Sequence, residues 1–200
     1  MAFERSHVAI YLEGGPPFAK PPASVKLVQM EQKDRRFVPD LIVIPAGSAV
    51  SFPNFDPIFH NAFSNFAGQP FDVGLYAPGA SQKVRFVRDG VVRVFCNIHP
   101  TMSAVIVVLN TPWFAVSDKS GRFAIPHVPP GEYQLHVYHE RALQQTLDRI
   151  EQIVRVTADG FDASSLVISE TGYVQAPHQN KHNMDYSSTS DQLLYAGESK

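Results

Sequence analysis

Apolar positions along the chain fall in short runs of Val, Ile and Phe, separated by Pro, Gly, Asn and Asp. Runs of that length with that punctuation predict strands at the spacing of a sandwich. Strands are expected at 8–12, 25–30, 41–45, 49–53, 82–88, 91–95 and 104–110. A second set is expected at 113–117, 122–125, 132–140, 153–157 and 165–169. Only 141–152 mixes enough helix formers to predict a short helix or an ordered loop. The chain is expected to be all-β, with no internal repeat.

The punctuation also divides the chain. Thr111-Pro112 marks a boundary. Beyond it, the turn before Gly121 and the Pro129-Pro130-Gly131 turn bracket short alternating strands, which predicts a second, smaller sandwich. Residues 14–22 contain Pro16, Pro17, Pro21 and Pro22 and read as a loop or linker. From Gln175 the apolar periodicity is lost and the chain turns rich in Asn, His, Ser and Asp. The plan is therefore an amino-terminal strand and linker (1–24), a first domain (25–110), a second domain (111–174) and a flexible or loosely docked tail (175–200).

Composition narrows the classes of function. Two hundred residues at 44% hydrophobic content bury one real core or two small ones. The charged fraction is 18% and the net charge −2, with no basic run or basic face, which argues against nucleic acid as a partner. No apolar stretch reaches the length of a bilayer span. A single cysteine forms no internal disulfide, so cysteine usage leaves the compartment open. The segment Met1–His7 does not read as a secretory leader.

The chemistry gathers around that cysteine. Cys96 opens the run Cys96-Asn97-Ile98-His99-Pro100-Thr101-Met102, and His60 lies 36 residues upstream. Two imidazoles, one thiolate and a weak axial thioether are the ligand set of a mononuclear copper electron-transfer site. Cys96 is expected to end one strand, His99 to sit on a tight loop and Met102 to begin the next strand, with His60 arriving from a separate strand. Asn61 is a candidate to tie the two ligand segments by hydrogen bonds, and Pro100 to stiffen the loop. No Asp, Glu, Lys or Arg occurs from Pro57 to Phe71 or from Val94 to Ser117, the two windows that hold all four candidates. Phe59, Phe63, Ile98 and Pro100 are expected to form an uncharged rim, the first three also serving as an apolar docking face. A buried cysteine is more often a small hydrophobe, and a single strand histidine more often structural; the joint spacing separates this set from those cases. Zinc suits the same donors, and Met102 with the resemblance below favours one copper ion.

The Cys-x2-His-x2-Met loop, with Pro after the histidine, resembles the cupredoxins and specifically their short amicyanin-type ligand loop. The stretches Gln32–Pro39, Val43–Ser48 and Phe52–Asn61 resemble the plastocyanin-like proteins often labelled methylamine utilization proteins. The resemblance covers about residues 25–110. It implies a Greek-key cupredoxin sandwich, a one-electron carrier rather than an enzyme, redox partners such as a dehydrogenase or cytochrome, and a periplasmic location. Ser117–Val137 resembles the carboxypeptidase regulatory-like or transthyretin-like β-sandwich, through Asp118-x-x-Gly121-x-Phe123 and Val128-Pro129-Pro130-Gly131-x-Tyr133. That resemblance implies no catalysis. Residues 8–14 look like a strand of the same module, which makes the amino-terminal strand a candidate to complete the second sandwich.

His136 and His139 fall on opposite faces of a strand, His127 in a turn, and His178 and His182 in the polar tail; all five read as structural or solvated. Asp118 and Glu132 read as turn and surface residues. Rival readings are a copper-binding scaffold or storage protein without electron transfer and, less favoured, a copper enzyme, for which no further His-rich cluster is visible. In the carrier reading the edge of His99 is expected to face the surface as the exit for the electron. Its release and protonation on reduction would raise the potential as pH falls.

Overall fold

The computed structural model describes residues 7–17, 27–65, 69–174 and 178–186. Strand β1 (Ala9–Gly14) is followed by β2 (Leu27–Gln29), β3 (Glu31–Lys33), β4 (Arg36–Val38), β5 (Leu41–Pro45) and β6 (Ala49–Pro53). Next come β7 (Phe63–Ser64), β8 (Phe71–Asp72), β9 (Ser81–Arg85), β10 (Gly90–Phe95) and β11 (Ser103–Leu109). Strands β12 (Phe114–Val116) and β13 (Gly131–Tyr138), helix α1 (Gln144–Asp148) and β14 (Gln152–Val156) complete the series. The fold is all-β. Among the described residues no helix is long and apolar enough to cross a membrane.

The chain separates into two compact units, one of Met1–Pro22 with Asn110–Gln175 and one of Ala23–Leu109 with Ala176–Lys200. The second is a two-layer sandwich. One layer runs β5-β11-β10-β7-β8 and the other β2-β6-β9. Ile42, Ile44, Val92, Val94, Ile106 and Val108 from the first layer meet Val50 and Phe52 from the second, with Phe86, in one buried cluster. Strand β11 pairs antiparallel with β10 and parallel with β5, while the chain crosses between layers from β5 to β6 and from β9 to β10, as in a Greek key.

Strand periodicity then fixes what stands at the end of the β10–β11 hairpin. Val92 and Val94 face the core, and so do Ala104, Ile106 and Val108. Side chains alternate with a period of two, so the next inward positions are Cys96 and Met102. The ladder pairs Val94 with Ala104 and Phe95 with Ser103. The Cys96 N–H donates to the Met102 carbonyl at 3.2 Å, extending that register by one pair. Both side chains are fully buried in the same cluster.

The β3–β4 hairpin was not legible in the apolar pattern, because Gln32 to Arg36 is mostly charged. Its two turn residues, Asp34 and Arg35, both have φ of 54°, as a type I′ turn requires. The turn forms without the usual glycine because the Asp56 carboxylate accepts both of their N–H groups, at 2.7 and 2.9 Å. Strands β7 and β8, of two residues each, were too short to predict.

The other unit is built on the sheet β12-β1-β13-β14. Strand β1 lies between β12 and β13, with Ile10 opposite both Ala115 and Val137. Ile10, Leu12, Trp113, Tyr133, Leu135, Val137, Leu147, Val154 and Val156 form its core. Two expected strands are absent: 122–125 and 165–169 have no strand pairing. The first emerges from a turn whose backbone is already engaged, with the Asp118 carboxylate accepting from the Ser120 and Arg122 N–H groups. Phe123, Ile125, Leu166 and Ile168 nevertheless pack against the core, so these segments cover it without joining a ladder. Helix α1 occupies five residues of the expected 141–152 segment. Of the expected linker, residues 18–22 lie outside the described set, as do residues 25 and 26 of the expected strand 25–30.

Part of the expected tail is described. Residues 178–186 make specific contacts within the sandwich unit, described below; residues 175–177 and 187–200 lie outside the described set.

Candidate metal centre

Three donor-bearing side chains converge at the end of the β10–β11 hairpin. The Cys96 Sγ lies 3.8 Å from His60 Nδ1 and 3.6 Å from His99 Nδ1. One ligand atom from each of the three lies within 4.8 Å of the others, and all three residues are buried. Metal bonds of about 2.0 Å to nitrogen and 2.3 Å to sulfur, opened to tetrahedral or trigonal angles, separate N from S by about 3.5–3.7 Å. The two observed N–S separations lie close to that span. Met102 stands opposite Cys96 in the extended ladder and is fully buried. Among the described residues no other group of three His, Cys, Asp or Glu has this spacing.

Each ligand candidate is held by the local fold. Met102 N–H donates to the His99 carbonyl at 3.0 Å, closing a turn from His99 to Met102. Pro100 occupies the second position of that turn, where its fixed φ is favoured. His60 is anchored by a two-way backbone pairing with Tyr76, at 3.2 and 2.9 Å. Asn61 joins the two ligand segments: its Oδ1 accepts from the Asn97 N–H at 3.2 Å. Its Nδ2 donates to Asp72 at 2.7 Å and to the Gly74 carbonyl at 3.0 Å. The buried Gln32 Nε2 donates to the Asn61 carbonyl.

The orientation of His60 follows from a carboxylate. His60 Nε2 lies 2.7 Å from Asp56 Oδ2, and both residues are buried. Burial is the largest influence on His60 and lowers its pKa below the ordinary value, so the ring stays neutral despite the neighbouring carboxylate. Burial is also the largest influence on Asp56 and acts to raise its pKa. The Arg35 N–H, the His60 ring and the Asp34 N–H together outweigh it and hold the carboxyl below its usual range. An ionised carboxylate only accepts, so the single N–H of the neutral ring belongs on Nε2. The Nδ1 lone pair is left facing the Cys96 sulfur, the tautomer a metal ligand needs.

The rim differs from expectation. Phe59 is 44% exposed, but Phe63 and Ile98 are buried, so the three do not form one exposed face. Phe63 points to the outer side of the hairpin, where its ring packs on Phe95 at 6.0 Å. Phe95 is in turn covered by the imidazole of His178, stacked at 4.1 Å. His99 is only 3% exposed, so its edge does not reach the surface and the protonation switch built on that exposure loses its ground.

Sequence reasoning missed Asp56, Asp72, Lys181, His178 and Tyr186. Asp56 was discoverable: it sits four residues before His60, immediately outside the charge-free window. The tail residues carried no comparable signal. The Tyr186 hydroxyl donates to the Cys96 carbonyl at 2.7 Å. Burial, followed by the charge of Cys96, raises the Tyr186 pKa far above its ordinary value, so the phenol remains a donor. In the other unit His136 pairs with Glu151 at 2.7 Å and His139 lies 3.8 Å from Glu170. A cavity of about 750 Å³, lined by Ser117, Phe123, His139 and residues 164–171, belongs to the other unit.

A family model described as polysaccharide lyase family 4, domain II, matches residues 113–162. The carboxypeptidase regulatory-like module expected for 117–137 is therefore not supported. No curated protein matches the chain. Similar solved structures include the novel purple cupredoxin from Nitrosopumilus maritimus, at 22% identity over 41% of this chain and 99% of that one, with a TM-score of 0.38. Amicyanin from Paracoccus versutus is 19% identical over 50% of this chain and 97% of its own, with a TM-score of 0.40. A copper-containing nitrite reductase from Thermus scotoductus SA-01 is 26% identical over 42% of this chain, with a TM-score of 0.40; the matched part spans only 22% of the reductase chain.

Proposed function

We propose that this chain is a type 1 (blue) copper protein that carries one electron at a time between redox partners. The carrying observation is the convergence of His60, Cys96 and His99, with donor atoms within 4.8 Å of one another in a buried cluster. In this reading those three would hold one copper ion, with Met102 as a fourth, weaker donor. Copper supplies a one-electron couple, with thiolate suiting the reduced ion and imidazole suiting both states.

The remaining residues supply rigidity. Asp56 fixes the ring and tautomer of His60, Asn61 ties the two ligand segments, and the Pro100 turn holds His99 against the end of the ladder. A ligand set pinned on a β scaffold rearranges little when its charge changes, which keeps electron transfer fast. The apolar residues around the sulfur exclude water. The partner is a redox protein such as a dehydrogenase or cytochrome, and the expected location is periplasmic, both following from the cupredoxin resemblance.

The burial of His99 favours a second reading, a copper-binding scaffold without electron transfer. Copper loading separates the two. The carrier reading predicts one copper per chain, an intense visible band from thiolate-to-copper charge transfer, and reversible one-electron reduction. A colourless copper-loaded protein, with a spectrum that Cys96→Ser leaves unchanged, would overturn it.

A further inference from the structure

We propose that the carboxy-terminal segment 178–186 is a clasp on the candidate metal loop, with Tyr186 and Lys181 as positioning residues that keep Cys96 and Asn97 closed over the centre. This deepens the copper reading and rests on it for its purpose, although the clasp itself is tested without metal.

Four independent contacts, each made to the ligand loop or to a residue that braces it, carry the inference. The Tyr186 hydroxyl donates to the Cys96 carbonyl at 2.7 Å. The Lys181 N–H donates to Asn97 Oδ1 at 3.0 Å. The Lys181 ammonium donates to Asp72 Oδ2 at 2.8 Å, and the other oxygen of that carboxylate accepts from Asn61 at 2.7 Å. His178 stacks at 4.1 Å on Phe95, the residue before the cysteine. The loop is thus braced on both sides: Asn97 receives Asn61 at its N–H and Lys181 at its side chain.

The clasp is also organised within itself. Tyr186 has one proton, which goes to the Cys96 carbonyl, so its oxygen accepts from His178 Nδ1 at 3.2 Å. Asn180 Oδ1 accepts from the His182 and Met184 N–H groups, and the Asn180 N–H donates to the Met184 carbonyl, folding 180–184 into a compact turn. This places Lys181 and Tyr186 together against the loop. Such an arrangement controls how often the buried sulfur becomes accessible, and with it how readily a metal ion enters or leaves.

The test is the rate at which N-ethylmaleimide alkylates Cys96 in full-length, metal-free protein, alongside global stability from urea unfolding. Loss of one hydrogen bond of ordinary strength predicts about fivefold faster alkylation in Tyr186→Phe. Adding Lys181→Ala is expected to raise the rate further, and Lys181→Arg to restore part of the protection. Tyr173→Phe, in the other unit, is expected to change nothing. Because only the loop opens, alkylation in the variants is expected to accelerate while depending little on urea below the unfolding transition. Rates within twofold of wild type, or a urea dependence of alkylation equal to that of global unfolding, would overturn it. In copper-loaded protein the same variants are expected to release copper faster to a chelator. A wild type that takes up no copper would refute the copper reading while leaving the alkylation comparison to decide the clasp.

Discussion

At the residue scale, His60 illustrates how its surroundings prepare a candidate ligand. The ring is desolvated and neutral, its Nε2 proton is engaged by Asp56, and its Nδ1 faces the Cys96 sulfur at 3.8 Å. Asp56 in turn accepts from two backbone N–H groups of the Asp34-Arg35 turn. Asp56→Ala removes the acceptor for three donors at once. It is expected to cost about 3 kcal/mol in urea unfolding of the metal-free protein; a loss below about 1 kcal/mol would contradict the role given to this carboxylate. The four ligand candidates were legible because their residue types are rare in this chain and their spacing is unusual. Asp56 escaped because a carboxylate near a turn reads as solvated, and only the folded hairpin shows it to be enclosed. Phe63 and Ile98 were misread as rim because an uncharged window does not reveal which side chains the sheet buries.

At the element scale, the β10–β11 hairpin carries the site because its alternation continues past the last paired residues. Val92, Val94 and Cys96 share one face, and Met102, Ala104 and Ile106 the same face opposite. That alternation could be read from the sequence, whereas the docking of 178–186 could not: its contacts span more than eighty residues and use polar side chains with no periodicity. The link from Lys181 to Asp72 gives this element a measurable acid response. Burial is the largest influence on Asp72 and raises its pKa, but Lys181, the Gly74 N–H and Asn61 outweigh it, and the carboxyl falls below 3.8. A group whose folded pKa is lowered stabilises fully above its unfolded value and loses that contribution as pH falls through the folded pKa. Titration of the Asp72 carboxyl by NMR is therefore expected to show a midpoint below 3.8, moving upward in Lys181→Ala. A midpoint unmoved by that substitution would contradict the ion pair.

At the scale of the whole molecule, two cores with separate membership share one chain. The amino-terminal strand β1 pairs with β12 and β13, more than a hundred residues away, so the sandwich unit is inserted between the parts of the other. The apolar run at 8–12 marks a strand, while its partners a hundred residues away leave no local signal. Ile10 is almost fully buried at the centre of that sheet. Ile10→Ala is expected to lower the stability of its own unit by about 2–5 kcal/mol, while leaving the visible spectrum of copper-loaded protein unchanged. A spectral change of the size caused by substituting Cys96 would contradict the independence of the two cores. The most direct test of the central claim is the visible spectrum and copper content of freshly oxidised, copper-loaded full-length protein. A blue copper carrier is expected to hold one copper per chain and to show a strong charge-transfer band that disappears in Cys96→Ser; a colourless protein, or a band that survives the loss of the sulfur, would rule that function out.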